Sequence, residues 1–287
     1  MAHDFRLSVS AMVKRVPALR IAPSLDKVPL VTFLAGLLFV VTPSHAQAPP
    51  DWMVCTGKVP AQPDRQVAVC TALIEAGRET AANLAVVYCS RGVAHQARDK
   101  LEPAIADYDA AARIAPEGAT KHLCRGYGNL ARVLVDDAIT EFSEAIALDP
   151  SPSRPFLARG RAYRAKGDLA RAVADYDEAI RRDPNNAVAF NNRGVALSYM
   201  RNDDRALDDY SQAIRLNPNY SEAFNNRGLV YGSRKEYERA IADFAEAIHL
   251  DPKNASAYTN RGVAYRSSGD STRAKADFET ASGLKGK

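Results

Sequence analysis

Alanines and aromatic residues form columns along the chain that recur every 34 residues. In each unit an aromatic residue follows one alanine by four positions and precedes another by three, which places all three side chains on one face of a helix. We expect a helix with such a face to pack against its neighbours in a core rather than to bind a cofactor. The aromatic column is Tyr108, Phe142, Tyr176, Tyr210, Phe244 and Phe278, and the two alanine columns run from Ala104 to Ala274 and from Ala111 to Ala281.

Prolines and Arg-Gly pairs keep the same interval and mark two helices in each unit. The residue before a proline is biased away from helical dihedral angles, so each proline ends a helix. The glycine lets the second helix of a unit approach the first. A period of this length with helical patterning predicts a stack of helix-turn-helix units. The prolines are Pro116, Pro150, Pro184, Pro218 and Pro252, and the pairs begin at Arg91, Arg125, Arg159, Arg193, Arg227 and Arg261.

These columns together resemble the tetratricopeptide repeat, which has an aromatic residue, glycine, alanine, aromatic residue, alanine and proline at this spacing. The resemblance covers residues 85–287 as six tandem repeats. Residues 47–84 are interpreted as a linker and a degenerate half-repeat helix, since residues 65–77 resemble a second helix. The resemblance implies an all-α, right-handed solenoid of antiparallel helix pairs, in which the first helices line a concave groove.

Residues 1–46 have the features of a signal peptide. Basic residues precede an apolar run over residues 28–41, and the small residues Ser44 and Ala46 favour cleavage after Ala46, with Ala48 as a second candidate. The run is short for a bilayer span, and an uncleaved anchor is the alternative. The sequence therefore predicts export to the periplasm or to the cell exterior.

The predicted signal peptide carries three of the four net positive charges of the chain. The remaining residues are nearly balanced in charge, so bulk electrostatics gives no reason to expect nucleic acid, or a membrane beyond the signal segment, as a partner. We expect a protein or peptide partner instead. The sequence leaves self-association open.

Cysteine usage agrees with export. An even number of cysteines in an exported protein indicates disulfides. We expect Cys55 to pair with Cys70 and Cys89 with Cys124, and two buried thiols are the alternative for the second pair. The spacing of the cysteines and histidines does not resemble a metal site, and no cofactor is expected.

An acidic residue precedes each core aromatic residue, in register with the arginine of the Arg-Gly pair. Charges that are matched one to one are usually paired, so we expect arginine–carboxylate pairs that link helices. A charged track for a ligand is the alternative. The acidic column is Asp107, Glu141, Asp175, Asp209, Asp243 and Asp277.

Asparagines form a ladder in the last three repeats, with one rung in each. An amide side chain both donates and accepts hydrogen bonds, so it can bracket a peptide group. In the family's sugar-transferring member a similar ladder grips an extended peptide, and the resemblance implies the same use here. Solvated polar residues on an open face are the alternative. The candidate peptide-binding residues are Asn191, Asn192, Asn225, Asn226, Asn260 and Tyr199.

No Gly-rich phosphate loop, nucleophile elbow or zinc-protease motif occurs in the sequence. The sequence therefore predicts a non-catalytic scaffold of the periplasm or cell envelope that binds an extended peptide segment in its groove. The alternative is a structural or assembly subunit that binds folded partners, or itself, through the ends of the stack and the convex face.

Overall fold

The computed structural model describes residues 51–59 and 61–285, which contain fourteen α-helices and no β-strand. The predicted signal peptide and its cleavage sites lie outside these residues. Two N-terminal helices, of which the first is short, precede six helix pairs. The helices are α1 (Asp51–Cys55), α2 (Pro63–Ala76), α3 (Ala81–Gln96), α4 (Leu101–Ile114), α5 (Ala119–Ala131), α6 (Val135–Leu148), α7 (Ser153–Lys166), α8 (Leu169–Arg182), α9 (Ala187–Tyr199), α10 (Asp203–Leu216), α11 (Ser221–Ser233), α12 (Tyr237–Leu250), α13 (Ala255–Ser267) and α14 (Ser271–Lys285).

Consecutive helices pack against each other along the whole series from α1 to α14, most closely within the six pairs. The first helix of each pair also touches the first helix of the next pair, from α3 with α5 to α11 with α13. Each unit thus packs mainly against its neighbours, as in a solenoid. The predicted all-α tetratricopeptide solenoid is confirmed.

The core consists of the predicted sockets for aromatic rings. Tyr108, Phe142 and Tyr176 are fully buried, and the alanines on either side of each ring are buried as well. The ring lies against the glycine of the Arg-Gly pair on the first helix, so close that a Cβ atom added at Gly160 would lie 2.7 Å from Cε1 of Tyr176. The glycine column therefore sets the distance between the two helices of every unit.

The turn inside each unit uses a left-handed backbone at an equivalent position. Glycine occupies this position in only two units, at Gly167 (φ 85°) and Gly269 (φ 95°), whereas Val133 adopts it with φ 63°. The unit that contains Val133 has no glycine in this turn, yet its turn has the common conformation. The residues in this column are Asp99, Val133, Gly167, Arg201, Lys235 and Gly269.

Candidate binding groove

Side chains that bond from one first helix to another identify the face on which the first helices meet. The Nδ2 atom of Asn226 on α11 donates to Oδ1 of Asn191 on α9 at 3.1 Å, and Asn260 on α13 donates to Asn225 on α11 at 2.9 Å. We call this surface of α7, α9, α11 and α13 the groove face. Its residues are Arg154, Arg161, Val188, Asn192, Val195, Tyr199, Asn225, Asn226, Leu229, Asn260 and Val263.

The structure corrects one member of the predicted asparagine ladder. Asn191 is 0% exposed, because its carbonyl accepts from Asn226 and its Nδ2 donates to Oε1 of Glu222 at 3.4 Å. A peptide in the groove cannot reach this side chain. Its amide instead links α9 to α11, so its role is to hold adjacent repeats together.

The other candidates remain at the surface to different extents. Asn192 is nearly buried, whereas Asn225, Asn226 and Asn260 are half-buried. Tyr199 is 69% exposed at the end of α9. The amide nitrogens of Asn226 and Asn260 are used between repeats, which leaves their carbonyl oxygens to accept hydrogen bonds from a ligand.

Apolar side chains accompany the asparagines on the groove face. Leu229 and Val263 follow Asn226 and Asn260 by three positions, so each lies on the same side of its helix as the amide. Leu229 is 46% exposed, and Val263 and Val188 are exposed to a similar extent. The structure thus leaves apolar side chains uncovered beside the amides.

The arginine–carboxylate columns form pairs within units. Both Arg159 and Arg193 place Nε and Nη2 against the two oxygens of one aspartate, 2.8–2.9 Å from Asp175 and 2.6–2.8 Å from Asp209. The hydrogen bonds that Arg159 donates to Asp175 raise the pKa of Arg159, although burial opposes this shift. The same geometry joins Arg91 to Asp107, Arg227 to Asp243 and Arg261 to Asp277.

The second unit departs from this pattern. Glu141 accepts from Nδ1 of His122 at 2.7 Å, so it is not paired with Arg125, which is exposed. His122 stands in the column that holds a large aromatic residue in the other units. Five of the six expected pairs are thus present, and they link the two helices of a unit. This arrangement favours a structural role for the column over a ligand track.

The N-terminal helices are tied to the solenoid by a disulfide and by an arginine. The Sγ atoms of Cys55 and Cys70 are bonded, and Gln66 on α2 donates to the carbonyl oxygen of Cys55 at 2.7 Å. Arg154 on α7 donates through Nη2 to the carbonyl oxygen of Thr56 at 2.8 Å. The segment after α1 therefore contacts the third repeat, a long-range contact that the sequence did not indicate.

The second predicted disulfide is absent, and Cys89 and Cys124 are buried free thiols. Both belong to the apolar cluster around Tyr108. A hydrogen bond from the Cys124 thiol to Cys89, together with burial, raises the pKa of Cys124. Disulfide exchange needs a thiolate, so this environment favours the two thiols, which was the alternative reading of the sequence.

Among residues 51–59 and 61–284, no three metal-ligating side chains come together. Within the same part of the chain, no helix combines the length and the apolar character needed to cross a membrane.

Comparisons with known proteins define the class. Residues 160–198, 187–220, 221–254 and 244–276 match models of the tetratricopeptide repeat. Together with the stacked helix pairs, these matches show that the chain is a tetratricopeptide repeat protein. Proteins of this class are protein-interaction modules and are typically not catalysts. A search of curated proteins gave no match.

Solved structures share the solenoid. The crystal structure of MamA is 27% identical with a TM-score of 0.51, over 56% of this chain and 94% of MamA. A thermophilic tetratricopeptide repeat protein of Thermus thermophilus is 21% identical with a TM-score of 0.55, over 62% of this chain and 97% of that protein. A chain of the APC/C hetero-tetramer Cut9–Hcn1 is 16% identical with a TM-score of 0.62, over 78% of this chain and 46% of the other. The last two likenesses concern the fold alone.

Proposed function

We propose that this protein is a non-catalytic scaffold that receives an extended segment of a partner protein on its groove face. The observation that carries the proposal is the combination of exposed apolar side chains on α9, α11 and α13 with half-buried amides on α11 and α13. Leu229 and Val263 occupy equivalent positions in successive repeats, and both side chains are exposed. Each lies one helical turn from an asparagine, so each of these two repeats offers one apolar contact and one polar contact.

Magnitudes support an apolar contribution to binding. A net hydrogen bond contributes about 1 kcal/mol, so three amides alone would give roughly millimolar affinity. Full burial of a leucine or valine side chain contributes about 1.5–3 kcal/mol. If a bound segment buried Leu229, Val263 and Tyr199, its affinity would therefore rise towards the micromolar range.

Site-specific photocrosslinking tests the groove. A benzophenone amino acid placed at Leu229 in the full chain should crosslink to an extended segment of one partner in extract from the native host. The matched control position is Leu148, which is more exposed but lies at the end of a second helix. A Val263→Asp variant that keeps its helical circular dichroism should lose the crosslink at Leu229. Equal capture from both positions, or capture that survives Val263→Asp, would overturn the proposal.

A second candidate function is assembly through the end of the stack. An open depression of about 360 Å³ lies on α14, beside Ala274 and Phe278. A benzophenone probe at Ser282, on the rim of this depression, distinguishes the two functions. Partner capture at Ser282 in place of Leu229 would favour an assembly subunit.

We also propose that the protein is exported, on the basis of the N-terminal pattern. The Cys55–Cys70 disulfide supports this location, because structural disulfides persist mainly in oxidising compartments. N-terminal sequencing of the protein from its native host should begin at Gln47 or at Pro49. A sequence that begins at Met1 would contradict removal of a signal peptide.

A further inference from the structure

Charge is divided unequally between the first and second helices of the repeats. The first helices, α3, α5, α7, α9, α11 and α13, together contain twelve lysines and arginines but a single carboxylate, that of Glu222. The second helices carry most of the acidic residues of the repeats. The chain is therefore nearly balanced as a whole, whereas the helices that form the groove face are basic.

Pairing across the units removes much of this positive charge. The arginines of five Arg-Gly pairs are each held by an aspartate of the second helix. The positive charge that remains is concentrated on α7, which has five basic residues and no acidic residue. Arg159 is among those already paired, and Lys166 bonds to Asp136 near the solvent. Arg154, Arg161 and Arg164 are left.

These three arginines differ from every other unpaired arginine in the described part of the chain. The remaining arginines without a nearby carboxylate are all solvent-exposed, whereas Arg154, Arg161 and Arg164 are half-buried. Arg161 makes no hydrogen bond or ion pair with another described residue. The Nε atom of Arg164 is buried without a hydrogen-bond partner. Half-buried guanidinium groups without a counter-charge are costly unless something else satisfies them.

Geometry places Arg161 on the groove face. Arg154 reaches Oγ of Ser90 on α3 at 3.5 Å, so this side of α7 faces the first helices of other repeats. Arg161 lies two helical turns further along the same side, and Arg164 follows Arg161 by three positions, so it lies on this side of α7 as well. It also stands one repeat before Val195 and two repeats before Leu229. Burial raises the pKa of Tyr127 to about 12 and also raises the pKa of Tyr220. The positive charge of Arg161 opposes both shifts, so its guanidinium lies near both hydroxyl groups.

Arg154 is already engaged by neutral acceptors. Its Nη2 atom donates to the carbonyl oxygen of Thr56, in the segment that the Cys55–Cys70 disulfide holds. The N-terminal segment thus closes the groove face on one side of α7. The open part begins at Arg161 and continues over α9, α11 and α13, past the amides and apolar side chains already described.

We propose that the segment bound on the groove face is acidic, and that Arg161 and Arg164 bind its aspartate or glutamate side chains. This inference rests on the proposed peptide-binding function and specifies its partner. Guanidinium groups bind carboxylates through short, charge-assisted hydrogen bonds, which are stronger than bonds between neutral groups. The amides and apolar side chains of the following repeats would then hold the next residues of the same segment.

A random-peptide selection tests this inference. Phage-displayed random dodecapeptides are panned on the full chain, and the recovered peptides should be enriched in aspartate and glutamate. A recovered peptide should bind an Arg161→Gln, Arg164→Gln variant at least about tenfold more weakly, because two charge-assisted contacts are removed. Added salt should also weaken binding to the wild-type protein.

The variants are chosen to preserve the fold. Glutamine occupies the position of Arg164 in the first repeat, where Gln96 accepts from the hydroxyl of Tyr108 at 3.1 Å. Arg215→Gln is the matched control, because Arg215 is exposed, has no carboxylate partner and lies on the second helix α10. Binding to the Arg215→Gln variant should equal wild-type binding.

Each other outcome decides against the inference. Recovery of neutral peptides, or of acidic peptides that bind the double variant as tightly as the wild type, would overturn the acidic partner and leave the peptide groove intact. Recovery of no peptide would overturn the groove function and this inference with it. Tighter binding of an oligothymidine strand than of the acidic peptides would assign the basic surface to nucleic acid instead.

Discussion

Replacement of Asp175 by alanine is expected to lower the free energy of unfolding by about 3 kcal/mol, because it leaves a mostly buried arginine without its counter-charge. Asp175 accepts two hydrogen bonds from Arg159, at 2.8 and 2.9 Å, and its side chain is only 7% exposed. Arg159 would keep a single hydrogen bond from Nη1 to Ser143, a neutral acceptor. Urea denaturation followed by circular dichroism measures the loss.

Two control variants test whether the loss of stability comes from the uncompensated buried charge of Arg159 or simply from the removal of an ion pair. Asp109 accepts from Arg132 at 2.6 Å but is 51% exposed, so Asp109→Ala should cost less than about 1 kcal/mol. Joint replacement of Arg159 and Asp175 by leucine should recover much of the stability, because no buried charge is left unpaired. If the Asp175→Ala variant were as stable as the Asp109→Ala variant, the buried Arg159–Asp175 pair would contribute no more to stability than an exposed ion pair.

The second large effect is expected from Gly126→Ala, with a net loss of about 2 kcal/mol. A Cβ atom at this position would lie 2.4 and 2.5 Å from two ring carbons of Phe142, which is fully buried. The ring has no space to retreat, so α5 and α6 must move apart. Since each unit is held by its neighbours, the displacement should also weaken the contacts of α5 with α4 and of α6 with α7.

A glycine elsewhere on a first helix provides the opposite result. At Gly232 the nearest atom to an added Cβ is that of Ala240 at 3.9 Å, which is ordinary contact. Gly232→Ala should therefore raise the unfolding free energy by about 0.5 kcal/mol through helix propensity. Midpoints of urea denaturation for the two variants should move in opposite directions. A shift in the same direction would contradict the role of the glycine column as a spacer.

The effect of a glycine on the fold could thus be predicted from its column. Every glycine of an Arg-Gly pair lies against the core aromatic residue of its unit, as the spacing indicates. Gly232 lies outside this column and has no such contact. Glycine does not mark every turn, however, because Asp99, Val133, Arg201 and Lys235 adopt the same left-handed conformation as Gly167 and Gly269.

The candidate site was predictable only in part. The sequence placed the asparagines and Leu229 on the first helices, and the structure brings them to one face. The sequence did not show that the side chain of Asn191 is already hydrogen-bonded to Asn226 and Glu222. Nor did it distinguish Arg161 from the paired arginines, because an arginine that lacks a partner is recognised only when its surroundings are known.

The sequence by itself determined the helix pairs, the core and the arginine–aspartate pairs, because these contacts lie within one unit and recur at a constant interval. The tertiary structure decided the contacts that depend on how units stack. Arg154 meets Thr56 and Ser90 across 98 and 64 residues, and these contacts occur once, without a repeated pattern. The buried thiols of Cys89 and Cys124 likewise depend on their surroundings in the core. Periodicity reveals an interaction that every repeat makes, whereas the superhelical arrangement decides what a single side chain reaches.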